Sequence, residues 1–113
     1  MTMNLLMKCK NIEETKRFYR DTLDFNVSDT AEDTCTATKA QGTIVFTSGD
    51  MIQGSPNFSG TVYFFLPQVE EYFNTIKDSV EVQWPLQNMS YGTKEFGIKD
   101  CNGYHLAFAK KRE

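Results

Sequence analysis

Residues 91–108 read YGTKEFGIKDCNGYHLAF, which is two strand-like runs separated by a turn signal. The runs extend from Thr93 to Lys99 and from Tyr104 to Ala109, and the pair Asn102-Gly103 lies between them. Both residues of this pair tolerate positive φ, the conformation that a two-residue hairpin turn requires. The stretch therefore predicts an antiparallel hairpin close to the end of the chain.

Upstream of this hairpin, the second half of the chain predicts a strand, a helix and a further strand. Residues 61–66 are rich in the β-branched and aromatic side chains that are typical of strands. Pro67 suits a first helical turn, and an apolar stripe at helical spacing follows it: Val69, Tyr72, Phe73 and Ile76. The further strand is predicted near Val80–Trp84.

The first half of the chain repeats this order. A short apolar run over residues 4–9 favours a strand, and Asn11 with Glu14 forms a capping-box pattern at a helix start. The helix is predicted to end near Asp24, and its stripe comprises Ile12, Thr15, Tyr19 and Leu23, with Phe18 beside it. Three strands are predicted at residues 25–28, 34–39 and 43–47, with Gln41-Gly42 as the turn between the last two.

The two halves superpose under a constant shift of 57 residues. Asn4 then falls on Thr61 and Ile12 on Val69, so that first strands, helices and helical stripes coincide. Residues 48–60 are rich in glycine and serine and indicate a linker. The chain is thus predicted to be a single domain, 1–113, with one βαβββ module at 1–47, a linker at 48–60 and a second module at 61–113.

Composition narrows the classes of function. The chain has 113 residues, a hydrophobic content of 40% and a net charge of -3, which allows one folded core. No basic patch is interleaved with aromatic residues, so a nucleic-acid partner is disfavoured. No apolar run approaches the roughly 20 residues that span a bilayer, and the first residues lack the pattern of a signal peptide. We therefore expect a cytoplasmic protein with no membrane partner, whose cysteines (Cys9, Cys35 and Cys101) are thiols without disulfides.

With these elements in place, the chain resembles the vicinal-oxygen-chelate superfamily of glyoxalases, bleomycin resistance proteins and extradiol dioxygenases. The resemblance rests on residues 11–23, where a polar and an aliphatic residue precede Phe18-Tyr19 and a closing Leu23, and on residues 91–108. It covers almost the whole chain in the right order. It implies an α+β fold in which two tandem βαβββ modules form curved mixed sheets around a cup.

In enzymes of this family, two His and two Glu, or a close variant, hold a divalent metal in the cup. The resemblance maps these ligand positions onto Asn4, Thr61, Ala107 and a residue near Val45 or Thr47. His105 is the only histidine of the chain, whereas a catalytic metal needs roughly three good protein donors. We therefore expect neither a metal nor another cofactor, and no catalytic residue is identified.

The same mapping predicts which side chains line the cup, because alternate residues of a strand face opposite sides. With Trp84 added as a possible wall, the candidate ligand-binding residues are Asn4, Leu6, Lys8, Tyr63, Phe65, Trp84 and His105. Strand residues of the opposite parity are uniformly apolar and suit a face packed on the helices: Leu5, Met7, Val62, Phe64, Leu66, Leu106 and Phe108. The candidates have plainer interpretations too: Trp84 as core packing and Lys8 as a solvated lysine at the rim.

Three hypotheses of function follow. The one that we favour is a metal-free protein, resembling the bleomycin-resistance branch, that binds a small neutral or weakly anionic molecule as a homodimer. The second is a glyoxalase-like lyase or isomerase with an atypical site. The third is a structural module whose own aromatic side chains fill the cup. The missing His and Glu ligands separate the first hypothesis from the second, and an open cup would separate it from the third.

Overall fold

The computed structural model describes residues 3–112. In its first half, strand β1 (Asn4–Lys8) leads into helix α1 (Ile12–Arg17) and a π-helical turn (Phe18–Thr22), which are followed by β2 (Asn26–Ala31), β3 (Thr34–Lys39) and β4 (Gly42–Thr47). The second half contains β5 (Thr61–Phe65), α2 (Val69–Ile76), β6 (Glu81–Asn88), β7 (Thr93–Lys99) and β8 (His105–Lys111). The predicted order of two βαβββ modules is confirmed. Three residues of the predicted domain ranges, Met1, Thr2 and Glu113, lie outside the described residues.

The chain divides into two compact units, each with its own sheet. The first unit extends to Phe58 and also includes the short segment Cys101–Gly103. The second unit comprises Ser59–Asp100 and the residues from Tyr104 onward. Residues 48–60, predicted to be a linker, contain no helix or strand, and the change from one unit to the other falls within them.

The first unit is a four-stranded mixed sheet in the order β1-β4-β3-β2, covered on one face by its helix. β1 runs parallel to β4, and the other neighbours are antiparallel. Tyr19, which is 1% exposed, lies at the centre of the core. Its ring centroid is 5.1 Å from that of Phe25 and 4.8 Å from that of Phe46. The helix is therefore held on the sheet mainly by aromatic contacts.

The helix of the first unit starts and ends as predicted, but its last turn is not α-helical. The side chain of Asn11 accepts a hydrogen bond of 2.8 Å from the Glu14 N–H, which confirms the predicted N-cap. The predicted end near Asp24 is confirmed, and the last turn is a wider π turn. It is closed by the Leu23 N–H, which donates to the Phe18 carbonyl at 3.0 Å. Asp24, with φ 59°, then ends the helix in the left-handed region.

The β3–β4 turn lies one residue earlier than predicted. Ala40 (φ 50°) and Gln41 (φ 68°) form the turn, and Gly42 is the first residue of β4. The register pairs Lys39 with Gly42, which leaves two loop residues in the conformation of a type I′ turn. Since a slip of one residue would reverse the buried and exposed faces of β4, the apolar pattern of the strands overrides the glycine preference of the turn.

The second unit has the matching sheet order β5-β8-β7-β6, with β5 parallel to β8. Its core lies between this sheet and α2 and is also aromatic. The ring of Phe108 lies 5.5 Å from Phe64, 5.3 Å from Phe96 and 4.9 Å from Tyr72 of the helix. The predicted helical stripe is confirmed, since Val69, Tyr72 and Ile76 are buried.

The predicted alternation of faces is confirmed in β5. Phe64 is 3% and Leu66 8% exposed, whereas Tyr63 and Phe65 are 41% and 47% exposed. β6 is longer than predicted and continues past Pro85 to Asn88, with irregular pairing on both sides of Trp84. Proline is tolerated there because β6 is an edge strand of the sheet.

The β7–β8 hairpin is confirmed, but its turn is not the predicted two-residue one. Within this loop, Gly103 alone has positive φ (90°). Two hydrogen bonds of 2.8 Å close the loop: the Asp100 N–H donates to the Tyr104 carbonyl, and the Tyr104 N–H donates to Asp100 Oδ1. Asn102 belongs instead to the first unit. Its Oδ1 accepts from the Lys10 N–H at 2.9 Å, and its Nδ2 donates to Thr15 Oγ1 at 3.1 Å. Asn102 therefore does not adopt the predicted turn conformation, and its side chain bonds to residues in and near α1 instead.

Candidate functional site

The candidate site lies on the open face of the second sheet, the face opposite α2. Strand pairing places Tyr63 opposite Ala107, Ala107 opposite Gly97, and Gly97 opposite Trp84. The next row along the strands contains Phe65, Ala109 and Glu95. In the first of these rows, small residues occupy the two central strands and aromatic residues occupy the two edges.

Glu95 is the centre of a hydrogen-bond network on this face. Its side chain is fully buried, at 0% exposed. Thr93 Oγ1 donates to Oε1 at 2.7 Å, while the Tyr63 hydroxyl and Trp84 Nε1 donate to Oε2 at 2.9 Å and 3.1 Å. Three donors compensate the loss of water around a buried carboxylate. Glu95 therefore fixes the positions of two aromatic side chains from opposite edges of the sheet.

Tyr63 presents both a polar end and an apolar ring. Burial raises the pKa of its hydroxyl above the usual value, and contacts with Tyr91 and Glu95 raise it further. The hydroxyl is therefore protonated at neutral pH and able to donate to Glu95. The ring stacks beside Phe65, with centroids 6.2 Å apart and an interplanar angle of 27°. We call Tyr63, Phe65, Trp84 and Tyr91 the aromatic wall.

Gly97 is required for the position of Trp84. A Cβ atom added at Gly97 would lie 2.4–2.5 Å from three carbon atoms of the Trp84 indole. Real Cβ atoms do not approach other atoms so closely, so the indole lies directly on the backbone of β7. Glycine is needed here for close approach of the ring, as in other strands where a bulky group lies on the backbone.

Replacing Gly97 by alanine is expected to displace the indole and break its hydrogen bond to Glu95. The free energy of unfolding should fall by about 1–3 kcal/mol, as in other overpacked sites. Trp84 is the only tryptophan, so its fluorescence emission should shift to longer wavelength as the indole becomes hydrated. Gly49→Ala is the control, because its added Cβ would meet only Thr47 Oγ1 at 3.5 Å. Unchanged emission in Gly97→Ala would contradict this arrangement.

The sequence-predicted candidates of the second unit are only partly brought together. Tyr63, Phe65 and Trp84 form the aromatic wall with Tyr91, which was not predicted. His105 is on the same sheet but at the start of β8, where it pairs with Thr61 and Lys99, and it is half-buried. It takes no part in the Glu95 network.

The candidates of the first unit lie on β1. Asn4 and Leu6 are exposed on this strand, Leu6 at 46%. The Lys8 ammonium donates to the carbonyls of Ser48 at 3.2 Å and Gly49 at 2.7 Å. In this structure Lys8 therefore holds the start of the segment that follows β4.

Cys35 of the first unit is buried, and no nucleophile was expected there. Burial raises the pKa of its thiol to about 11, with a further contribution from Cys9. The thiol form therefore predominates at neutral pH, whereas nucleophilic attack requires the thiolate.

Glu95 and Tyr91 are the site residues that sequence reasoning missed. No sequence signal placed Glu95 correctly. The two-residue turn predicted at Asn102-Gly103 would pair Cys101 with Tyr104 and put Glu95 opposite Lys110. The observed register pairs Lys99 with His105 and puts Glu95 opposite Ala109, on the face of Tyr63.

Comparison with known proteins agrees with this architecture. The family model of the Glyoxalase/Bleomycin resistance protein/Dioxygenase superfamily matches residues 4–108. The chain belongs to this superfamily. No curated protein matches the sequence of this superfamily member.

Solved structures share the fold of this glyoxalase-superfamily chain at low sequence identity. TioX from Micromonospora sp. ML1 is 14% identical with a TM-score of 0.81, and the match covers 98% of each chain. A glyoxalase/bleomycin resistance protein/dioxygenase from Alicyclobacillus acidocaldarius is 14% identical (TM-score 0.80; 100% of this chain, 92% of that one). A superfamily member from Sphaerobacter thermophilus is 16% identical (TM-score 0.80; 98% and 97%). At identities this low, the structural matches show a shared fold and nothing about function.

The metal of the superfamily's enzymes does not fit the residues onto which the resemblance maps its ligand positions. In the second unit these are Thr61 and Ala107, and Ala107 has no donor atom. In the first unit they are Asn4 and the region of Val45 and Thr47, which lack imidazole and carboxylate. Across residues 3–112, no group of three or more His, Cys, Asp or Glu is placed to hold a metal ion.

No helix in this part of the chain is long and apolar enough to cross a membrane.

Proposed function

We propose that this glyoxalase-superfamily chain binds a small, partly planar molecule, without a metal, against the aromatic wall of its second sheet. The observation that carries the proposal is the buried Glu95 carboxylate, which ties Tyr63 and Trp84 together while the Tyr63 and Phe65 rings are left 41% and 47% exposed. Aromatic side chains that are both anchored and accessible are typical of small-molecule sites.

Preorganisation supports this proposal. A side chain that must be ordered on binding costs free energy, of the order of 0.5–1.5 kcal/mol. Hydrogen bonds to Glu95 already hold Tyr63 and Trp84, and the Phe65 ring stacks beside Tyr63. Binding of a planar ligand would therefore cost little conformational entropy in the side chains of the aromatic wall.

Glu95 also affects which ligand charge the site accepts. The sequence favoured a neutral or weakly anionic ligand, but a carboxylate behind the wall repels an anion placed against it. Its oxygens accept from three protein donors and are closed to solvent. We therefore propose a neutral ligand at the wall, oriented by the Tyr63 and Tyr91 hydroxyls.

The two other hypotheses receive less support. A lyase or isomerase would need a reactive group in contact with its substrate, and the Glu95 carboxylate is fully buried. A structural module would fill this face with its own aromatic side chains, whereas Tyr91 is 62% exposed and Tyr63 and Phe65 remain accessible. The expectation that Asn4, Leu6, Lys8 and His105 contact the ligand stays a prediction.

The experiment for this proposal is a thermal-shift screen of the chain against neutral planar metabolites. A ligand that raises the melting temperature should bind Tyr63→Ala more weakly by about 1–3 kcal/mol, which is roughly 5–150-fold in Kd. Phe58→Ala is the control, because Phe58 is an exposed aromatic residue (42%) of the first unit. Equal losses in both variants, or no stabilising compound at all, would contradict the proposal.

We also propose that the chain forms a homodimer. In the first unit, the large non-aromatic apolar side chains of Met3, Leu6 and Met51 are exposed. Burial of such side chains in an interface between two copies of the chain favours association. Light scattering at micromolar concentration should give about twice the 13.0 kDa of one chain. A mass of one chain under these conditions would contradict dimer formation.

A further inference from the structure

A groove lined by cations lies where β5 and β8 end in the second unit. Four cationic side chains line it, from Lys94, Lys110, Lys111 and Arg112, together with one carboxylate, from Glu70. Its volume is about 650 Å³. The whole chain has a net charge of -3, so this concentration of positive charge opposes the overall charge of the protein.

An apolar pocket adjoins this basic groove. Phe65, Leu66 and Pro67 form its apolar side, and its volume is about 490 Å³. The pocket and the groove share Pro67, Lys110 and Lys111 as lining residues. The two therefore form one continuous depression that is apolar at one end and cationic at the other.

The four cations of the groove differ in the ion pairs and hydrogen bonds that they already make within the protein. Glu70 accepts ion pairs from Lys110 at 2.7 Å and from Lys94 at 3.3 Å. Arg112 Nε donates to the Thr93 carbonyl at 3.3 Å, and its Nη2 donates to the Met89 carbonyl. Lys111 is exposed and has no ion pair with any residue in the described range 3–112. Lys111, supported by Arg112, is therefore the cation best placed for an external anion.

We propose that this depression binds a small organic anion that carries an apolar group, with its anionic head at Lys111 and Arg112 and its apolar group against Phe65, Leu66 and Pro67. This second site goes beyond the proposed function: it shares Phe65 with the aromatic wall, but Tyr63, Trp84 and the Glu95 network do not line it. Lys and Arg attract a carboxylate or phosphate by charge-assisted hydrogen bonds, and burial of the apolar group adds the hydrophobic contribution.

The surroundings of the Glu70 carboxylate show that this groove favours a negative charge. Its pKa is lowered to about 2, chiefly by the hydrogen bond from Lys110, then by its own backbone N–H and by Lys94. The groove thus already stabilises one carboxylate of the protein itself. Because Glu70 compensates two of the lysines, the cationic end is matched to a ligand with one anionic group rather than to a polyanion.

The test is an NMR titration of the ¹⁵N-labelled chain with octanoate, acetate and 1-octanol. Octanoate has both the head and the apolar chain, whereas acetate lacks the chain and octanol lacks the charge. Octanoate should shift the backbone amides of Leu66, Lys110 and Lys111 saturably, and the other two compounds should bind at least about tenfold more weakly. Octanol binding as tightly as octanoate, or no saturable shift of these amides with octanoate, would overturn the proposal.

A pair of charge reversals separates the site from the general charge of the protein. Lys111→Glu should weaken octanoate binding by about tenfold or more. Lys77→Glu makes the same change in net charge at the other end of α2, where Lys77 is exposed and caps the helix, and binding should stay within about twofold. Equal losses in the two variants would show a nonspecific effect of charge and would reject the site.

Discussion

Replacing Phe64 by alanine is expected to lower the free energy of unfolding by about 3–5 kcal/mol, as truncation of a buried phenylalanine does. Phe64 is 3% exposed, and its ring stacks on Phe108 at a centroid distance of 5.5 Å. The lost ring would leave a cavity between the second sheet and α2, where the aromatic core has no other side chain to fill it. Urea unfolding followed by circular dichroism measures this loss.

Phe65→Ala is the matched control for this prediction. The two residues are identical and adjacent, but Phe65 points to the open face and is 47% exposed. Its replacement should cost less than about 1 kcal/mol, because much of the ring is already in water. If Phe65→Ala is the more destabilising of the two variants, the assignment of faces in β5 is inverted and the aromatic wall is not where we place it.

Replacing Glu95 by leucine is expected to have the second large effect, a loss of about 2–4 kcal/mol of stability. Leucine has a similar size but accepts no hydrogen bond, so Thr93, Tyr63 and Trp84 would each lose an acceptor. The indole N–H can only donate, and it has no means of adapting to an apolar neighbour. Thermal unfolding gives the stability change, and Trp84 emission reports whether the indole has moved.

Glu95→Gln separates the hydrogen bonds of Glu95 from its charge. The amide oxygen can still accept from Tyr63 and Trp84, while the amide nitrogen can donate to the Thr93 hydroxyl. We expect a loss of about 1 kcal/mol and almost unchanged Trp84 emission. A leucine variant as stable as the glutamine variant would show that the network does not position the aromatic wall.

The fold could be predicted from the sequence because two of its signals are repeated. Each half begins with a strand and continues with a helix whose apolar stripe is at regular spacing, and the observed first strands begin at Asn4 and Thr61. The observed helices begin at Ile12 and Val69, the same distance apart. Such periodic signals depend on burial of one face, which the structure confirms in both units.

Local departures from regular geometry could not be predicted in the same way. The π turn after Arg17 and the Ala40-Gln41 turn are set by which side chains must be buried, and the propensities of the turn residues point elsewhere. Asn102 has the composition of a turn residue, yet its side chain bonds to Lys10 and Thr15, which are distant in sequence. Such long-range partners leave no local signal.

Only part of the candidate site could be predicted, because the other part also depends on partners that are distant in sequence. Strand parity was sufficient to place Tyr63 and Phe65 on the open face. The position of Trp84 depends on the bulged pairing of β6 and on the absence of a side chain at Gly97, which no local pattern of β6 encodes. Glu95 could not be placed from the sequence, because the predicted two-residue turn gives a register that is shifted by one residue and puts Glu95 on the opposite face of the sheet.

Trp84 fluorescence provides the most direct test of ligand binding at the aromatic wall. Trp84 is the only tryptophan of the chain, and it bonds to the same carboxylate oxygen as Tyr63. Titration with a stabilising neutral ligand should change its emission saturably, and in Tyr63→Ala the midpoint should rise by roughly 5–150-fold. A ligand that raises the melting temperature but leaves Trp84 emission unchanged, and binds Tyr63→Ala as tightly as the wild type, would contradict binding at the wall.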